Sequence, residues 1–158
     1  MLKLTPDDFD ACIAVNVKSV FLCSKAVVPH MQERGQGVII NIASIGGRGV
    51  SAPGVGFALY GASKAAVLHL TVSMAVEFAP SVRVNAIAPG QISTERVRAS
   101  WTPDGRAAML RTVALGRHGM PEDISGAAVF IASDAASWMT GACIDVTGGL
   151  QNPDRRVD

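Results

Sequence analysis

Apolar positions along this chain fall into long stretches of helical character separated by short runs rich in β-branched residues. Thr5, Pro6, Asp7 and Asp8 open the first stretch with a capping hydroxyl, a proline at the first helical position and acids at the positive end of the helix dipole. The helix so predicted runs to about Arg34, and Gly35 with Gly37 ends it. "VIINIAS" is then a continuous apolar run with the bias of a strand covered on both faces, which points to a parallel sheet. "IGGRGVSAPGVG" carries too much glycine and proline for regular structure and reads as a loop at the carboxyl end of that strand, where open parallel sheets place their sites. A second long helix is expected over residues 58–78, closed by Pro80, and "VRVNAIAP" reads as a second buried strand whose loop begins at Pro89 and Gly90. "PDGRAAMLRTVA" and "PEDISGAAVFIAS" each start with proline and acids, as helices do, and "ACIDVTGG" gives a third strand ended by paired glycines. Helix and strand alternate throughout, so the expected fold is α/β with a parallel sheet, in one domain over residues 1–158.

Composition narrows the partners. Hydrophobic residues make up 49% of the 158, enough for a single core, and a formal net charge of +1 without a basic block gives no reason to expect a nucleic acid or an anionic membrane as partner. A small molecule is the better expectation. Cys12, Cys23 and Cys143 are too widely spaced for a disulfide framework or paired metal ligands, and His30, His69 and His118 show no metal-ligand spacing. The amino terminus turns acidic early and lacks the apolar core of a signal peptide, so a cytoplasmic location is expected. "ALYGASKAAVLHLTVSMAVEFA" nears membrane-spanning length, but Lys64, His69 and Glu77 interrupt it, and a buried helix of a soluble protein is the expectation.

Candidate chemistry centres on the single tyrosine. Tyr60 and Lys64 are four apart on the second long helix, so both can face one cavity. A cation near a phenol favours the phenolate, which suits a proton donor or acceptor working near neutrality. A Tyr and a Lys one turn apart can equally be surface decoration. Ser44 adds context, since it ends "VIINIAS" where a parallel sheet opens its crevice and could hold a substrate oxygen; capping the turn is its plainer role.

With "VNV", "IINIAS", "YGASK", "RVNAIAPGQIST" and "PEDISGAAVFIASDAASWMTGACIDVTGG" in that order, the chain resembles the short-chain dehydrogenase/reductase family over about residues 4–150. The resemblance implies part of a Rossmann-like doubly wound parallel sheet, its carboxyl-terminal strands and helices. It implies Tyr60 as catalytic acid/base, Lys64 as the cation that lowers the phenol's pKa and grips the nicotinamide ribose, Ser44 as the group polarising the carbonyl, and Asn16 as the holder of a relay water. Pro89, Gly90, Ile92 and Thr94 would line the nicotinamide of NAD or NADP. The implied reaction interconverts an alcohol and a ketone or aldehyde by hydride transfer, in a homodimer or homotetramer.

Several family landmarks are missing: the opening strand with its TGxxxGxG turn, the second strand that selects NAD or NADP, and the "NNAG" strand that the family places beside "VIINIAS". Gly47, Gly49 and Ala52 satisfy GxGxxA after a strand, but Pro53 and Gly54 follow directly and no helix is expected there. The expectation is therefore an exposed edge on "VIINIAS" and no dehydrogenase activity in the 158-residue chain alone. The segment between Ser44 and Tyr60 is longer than the family commonly has, which should reshape the substrate lip. A rival reading from another class is a non-catalytic module whose helices bind copies of itself or a full-length relative.

Overall fold

A computed structural model describes residues 2–49 and 56–150. Helix α1 spans Pro6–Glu33. Thr5 caps it as expected: its hydroxyl accepts from the Asp8 amide at 3.1 Å, and the Asp8 carboxylate accepts the Thr5 amide at 2.9 Å. The Thr5 amide and the Thr5 hydroxyl, both donating to the Asp8 carboxylate at 2.9 Å, hold that carboxyl below its ordinary pKa. Within α1 the turn Ala14–Lys18 widens to π-helical spacing, a local expansion that often marks functional positions. Gly35, at a φ of 71°, ends the helix. Gly37 instead begins strand β1 (Gly37–Ile42), where a Cβ would meet Met31 at 2.5 Å.

β1 leads through a 3-10 turn (Ile45–Arg48) to α2 (Phe57–Glu77), then β2 (Val82–Pro89), α3 (Glu95–Ser100), α4 (Pro103–Leu110), α5 (Pro121–Ala132) and β3 (Cys143–Val146). The strands form a parallel sheet in the order β1-β2-β3, with Gly37 opposite Val82 and Ala86 opposite Cys143. The α/β parallel fold expected from the sequence is thus present. α3 was not foreseen.

β2 is the buried centre. Val82, Val84, Ala86 and Ala88 point alternately to one face and are packed in clusters with Val67, Met74 and Ala75 of α2. Asn85 and Ile87 face the opposite way, and Asn85 satisfies its amide on the Met139 carbonyl at 2.8 Å and the Ala142 N–H at 3.0 Å. The expectation that "VIINIAS" is covered on both faces needs correction: only Asn41 of β1 is buried, and Ile42 is 49% exposed. The reason is topological. Among the described residues β1 pairs only with β2, and its other edge lies beside a groove of about 330 Å³ lined chiefly by α1 and β1, with Asn16 and Lys64 among its walls.

Two helices, Pro6–Glu33 and Phe57–Glu77, are long and apolar enough to cross a membrane by length and composition. α2 uses its apolar length against the sheet, burying Leu59, Ser63, Val67, Thr71, Met74 and Ala75. On α1, Val15, Phe21, Leu22 and Val27 remain exposed.

Candidate active site

The site forms where β1 ends and α2 begins. Ser44 leaves β1 in extended backbone (φ −167°) and its hydroxyl accepts the Gly46 amide at 3.1 Å, capping the 3-10 turn. That turn lies directly on α2: a Cβ on Gly47 would meet the backbone of Lys64 and Ala65 at 2.6 Å, and one on Gly61 would meet the Gly46 carbonyl at 3.0 Å. Glycine at these positions lets Ser44 and the first turns of α2 share one end of the sheet. Gly47 therefore serves close packing, and Gly49, at a φ of 88°, ends the turn; Ala52 lies outside the described residues.

Tyr60 and Lys64 lie one turn apart on α2, and the Lys64 ammonium sits 5.9 Å from the centre of the Tyr60 ring. It also donates to the Ile42 carbonyl at 2.8 Å, which ties the helix cation to the last residue of β1. Burial holds the Lys64 pKa below its ordinary value, and the nearby Cys12 thiol pulls weakly the other way. Phe57 flanks the tyrosine with ring centroids 6.0 Å apart.

Asn16, in the widened turn of α1, reaches the same helix through Ser63. Its amide donates to the Ser63 hydroxyl at 3.1 Å and to the Cys12 sulfur at 3.4 Å, while the Ser63 hydroxyl donates to the Tyr60 carbonyl at 2.7 Å. Ser63, fully buried, thus links Asn16 to the Tyr60 backbone, while Lys64 is held separately by the Ile42 carbonyl. The sequence pattern did not single out Ser63, and Cys12 was weighed only as a disulfide partner or metal ligand. The available signal was position: Ser63 follows Tyr60 by three and directly precedes Lys64, on the helix face that packs inward.

The second wall comes from the loop after β2. Pro89 pairs with Val146, and Gly90 donates to the Val146 carbonyl at 2.9 Å, with room for no side chain because a Cβ would meet Thr147 at 2.9 Å. Ile92 bridges Gly119, and Thr94 caps α3 by accepting the Val97 amide at 3.2 Å. Pro89, Gly90, Ile92 and Thr94 therefore lie in sequence along one loop at the carboxyl end of β2, the same end at which Ser44 leaves β1. On the far side Arg48 of the turn meets Asp145 of β3 at 3.2 Å. Cys143 is half-buried beside that carboxylate, and partial burial and the Asp145 charge raise its thiol pKa.

Comparison with known proteins agrees with this architecture. A family profile described as enoyl-(acyl carrier protein) reductase matches residues 1–151. The chain is 42% identical over 154 residues to 4-formylbenzenesulfonate dehydrogenase TsaC1/TsaC2 of Comamonas testosteroni, covering 94% of this chain and 60% of that protein. It is 38% identical over 151 residues to the human dehydrogenase/reductase SDR family member 4, covering 94% of this chain and 53% of the relative. Among solved structures, 7 alpha-hydroxysteroid dehydrogenase complexed with NADH and 7-oxo glycochenodeoxycholic acid superposes with a TM-score of 0.88 at 36% identity, over 95% of this chain and 58% of that one. A 4-hydroxyisoleucine dehydrogenase mutant complexed with NADH and succinate gives a TM-score of 0.87 at 34% identity, over 95% and 62%. The chain thus spans little more than half the length of the curated relatives it matches. On the strength of the family profile, these identities and the shared parallel sheet, the chain belongs to the short-chain dehydrogenase/reductase family.

Proposed function

We propose that this chain is the catalytic part of an NAD(P)-dependent oxidoreductase that interconverts an alcohol and a ketone or aldehyde. The observation that carries the reading is the convergence of Tyr60, Lys64 and Asn16 through the Ser63 and Ile42 bonds, beside Ser44 at the open end of the sheet. Tyr60 is about one-third exposed, so its hydroxyl can exchange a proton with a bound substrate. Lys64 spends one N–H on Ile42 and keeps two for a ribose hydroxyl or for water. Ser44 donates to the substrate oxygen while its own oxygen accepts Gly46, which fixes the hydroxyl's direction. Asn16, held by Ser63, orders a relay toward Lys64.

The donor set fits the nicotinamide end of NAD or NADP. Lys64 and Tyr60 offer donors on one side, and Pro89, Gly90, Ile92 and Thr94 offer a close backbone approach on the other. When bound, that cofactor supplies or accepts the hydride. This chain's residues orient the substrate and move the proton at the Tyr60 hydroxyl.

The substrate is a small molecule, the location cytoplasmic, and the assembly a homodimer or homotetramer that covers the apolar faces left on α1 and α2, where Phe21, Leu22, Val72 and Val76 are exposed. Residues 1–158 form a single partial domain, inactive alone, because the described residues include no glycine turn opening a helix toward a pyrophosphate. The second reading, a non-catalytic interaction module, is favoured by the free edge of β1.

The test is to express residues 1–158 alone and titrate NADH and NADPH by fluorescence, beside a version fused to the amino-terminal portion of a full-length relative. The proposal expects no stoichiometric binding at low micromolar concentration by the chain alone, and Tyr60-dependent carbonyl reduction by the fusion. Binding and turnover by residues 1–158 alone would overturn the claim of inactivity. A soluble, cofactor-binding fusion without Tyr60-dependent turnover would favour the module.

A further inference from the structure

α3 and α4 leave the sheet after Thr94 and are tied back at two places. The first is backbone: the Ser93 amide donates to the Gly119 carbonyl at 2.7 Å, and the Gly119 amide donates to the Gln91 carbonyl at 3.0 Å. The second is a ring pair. Trp101, between α3 and α4, lies against His118 with centroids 4.3 Å apart and planes inclined by 34°. His118 is 8% exposed, and among the described residues neither its Nδ1 nor its Nε2 has a hydrogen-bond partner.

Among the described residues, the groups that act on His118 disfavour an imidazolium on balance. Arg106 of α4 repels it, while the backbone of Arg106 favours the charged ring too weakly to offset burial, the largest effect; together they hold the His118 pKa below its ordinary value. Arg117, the neighbour in sequence, is also positive, and its guanidinium donates to the His118 carbonyl at 3.2 Å. The acid on that side, Asp123 of α5, is already taken. Its carboxylate accepts Arg117 at 2.7 and 2.8 Å and the Met120 amide at 2.7 Å.

We propose that His118 and Trp101 form an acid-released clasp: the neutral ring pair holds the α3–α4 segment over the loop that follows β2, and protonation of His118 frees the segment. The consequence falls on Thr94, which caps α3, and so on the wall of the site built by Pro89, Gly90, Ile92 and Thr94. The sign follows from linkage. The closed form disfavours the charged ring, whereas opening returns it to water and a pKa of about 6.5. Protonation therefore pulls toward the open form as pH falls through that value. For a closed form that stays neutral, the open-to-closed ratio rises about tenfold between pH 7.5 and pH 5.5. The clasp does not depend on the oxidoreductase reading, since it uses no residue assigned to the reaction.

The experiment is hydrogen exchange read by mass spectrometry on residues 1–158, with rates corrected for the intrinsic pH dependence of exchange. Segments within residues 95–110 should open about tenfold more at pH 5.5 than at pH 7.5, while β2 stays protected. His118→Phe keeps a ring against Trp101 and removes the titration, so its exchange should be independent of pH over this range. A wild-type response under twofold, or a full response retained in His118→Phe, would overturn the clasp. Should His118→Phe fail to fold by circular dichroism, NMR of the wild-type chain decides instead. The Trp101 indole signal, identified by its loss in Trp101→Phe, should move with the His118 imidazole titration; an indole that ignores that titration overturns the clasp equally.

Discussion

The two walls of the site are held by different means. On the α1–β1–α2 side, the groups are fixed by side chains on regular elements: Asn16 to Ser63, Ser63 to the Tyr60 carbonyl, Lys64 to Ile42. On the other side, Pro89 to Thr94 is held by backbone bonds to Val146 and Gly119, a helix cap and one ring pair. The first arrangement specifies where a phenol and a cation sit and tolerates little change. The second fixes a path for the chain chiefly through its backbone and one capping side chain.

The largest test of that contrast removes the proposed proton donor. Tyr60→Phe, in a chain fused to a relative's amino-terminal portion, should lower turnover by about 10² to 10⁴ while leaving folding intact, the range assigned to general acid/base catalysis. A near wild-type rate would end the assignment of Tyr60.

Next come changes that disturb the geometry of the first wall. Gly47→Ala drives a methyl group into the Lys64 and Ala65 backbone and should cost about 1–3 kcal/mol in urea unfolding, as overpacking does. Ser63→Ala leaves the Asn16 amide short of a buried acceptor, with an expected loss of about 1–3 kcal/mol. A loss below about 0.5 kcal/mol for Ser63→Ala would mean that the network is not specifying the wall.

On the second wall, Thr94→Ala removes only the cap of α3 and should cost about 1 kcal/mol, seen as faster hydrogen exchange confined to residues near 95–100. Exchange rising throughout β2 would show that the loop and the sheet are not separable in the way described.

The smallest effect is electrostatic. The Arg117 guanidinium and the Met120 amide hold the Asp123 carboxyl far below its ordinary range. A depressed carboxylate stabilises the fold above its unfolded pKa of about 3.9 and loses that contribution as pH falls further. Asp123→Asn should flatten the acid limb of a stability-versus-pH curve and change little at pH 7. An unchanged acid limb would show that the pair, exposed as it is, contributes nothing measurable.

Much of the architecture was legible because local chemistry announces it. Thr5 with Pro6 and Asp8 starts α1, Gly35 ends it, and the apolar runs of β2 and β3 fall where the structure has strands. Tyr60 and Lys64 were legible too, since helical spacing alone puts them on one face. α3 escaped notice because a six-residue helix carries almost no periodic signal, and Thr94 was weighed only as a ligand contact and not as a cap.

What the sequence determined by itself was most of the elements, their order and the i, i+4 pairing on α2, because caps, turns and periodicity act over a few residues. What only the tertiary structure decided were the partners that lie far apart in the chain. Asn16 meets Ser63 across 47 positions, Lys64 meets Ile42 across 22, and Gly47 is a glycine because α2 passes against it. Trp101 and His118 become a pair for the same reason: their contact depends on how the excursion after β2 folds back, and no local pattern encodes that return. β1, too, reads as a strand covered on both faces, yet that coverage depends on what packs around it, and among the described residues, where β1 pairs only with β2, Ile42 stays half-exposed.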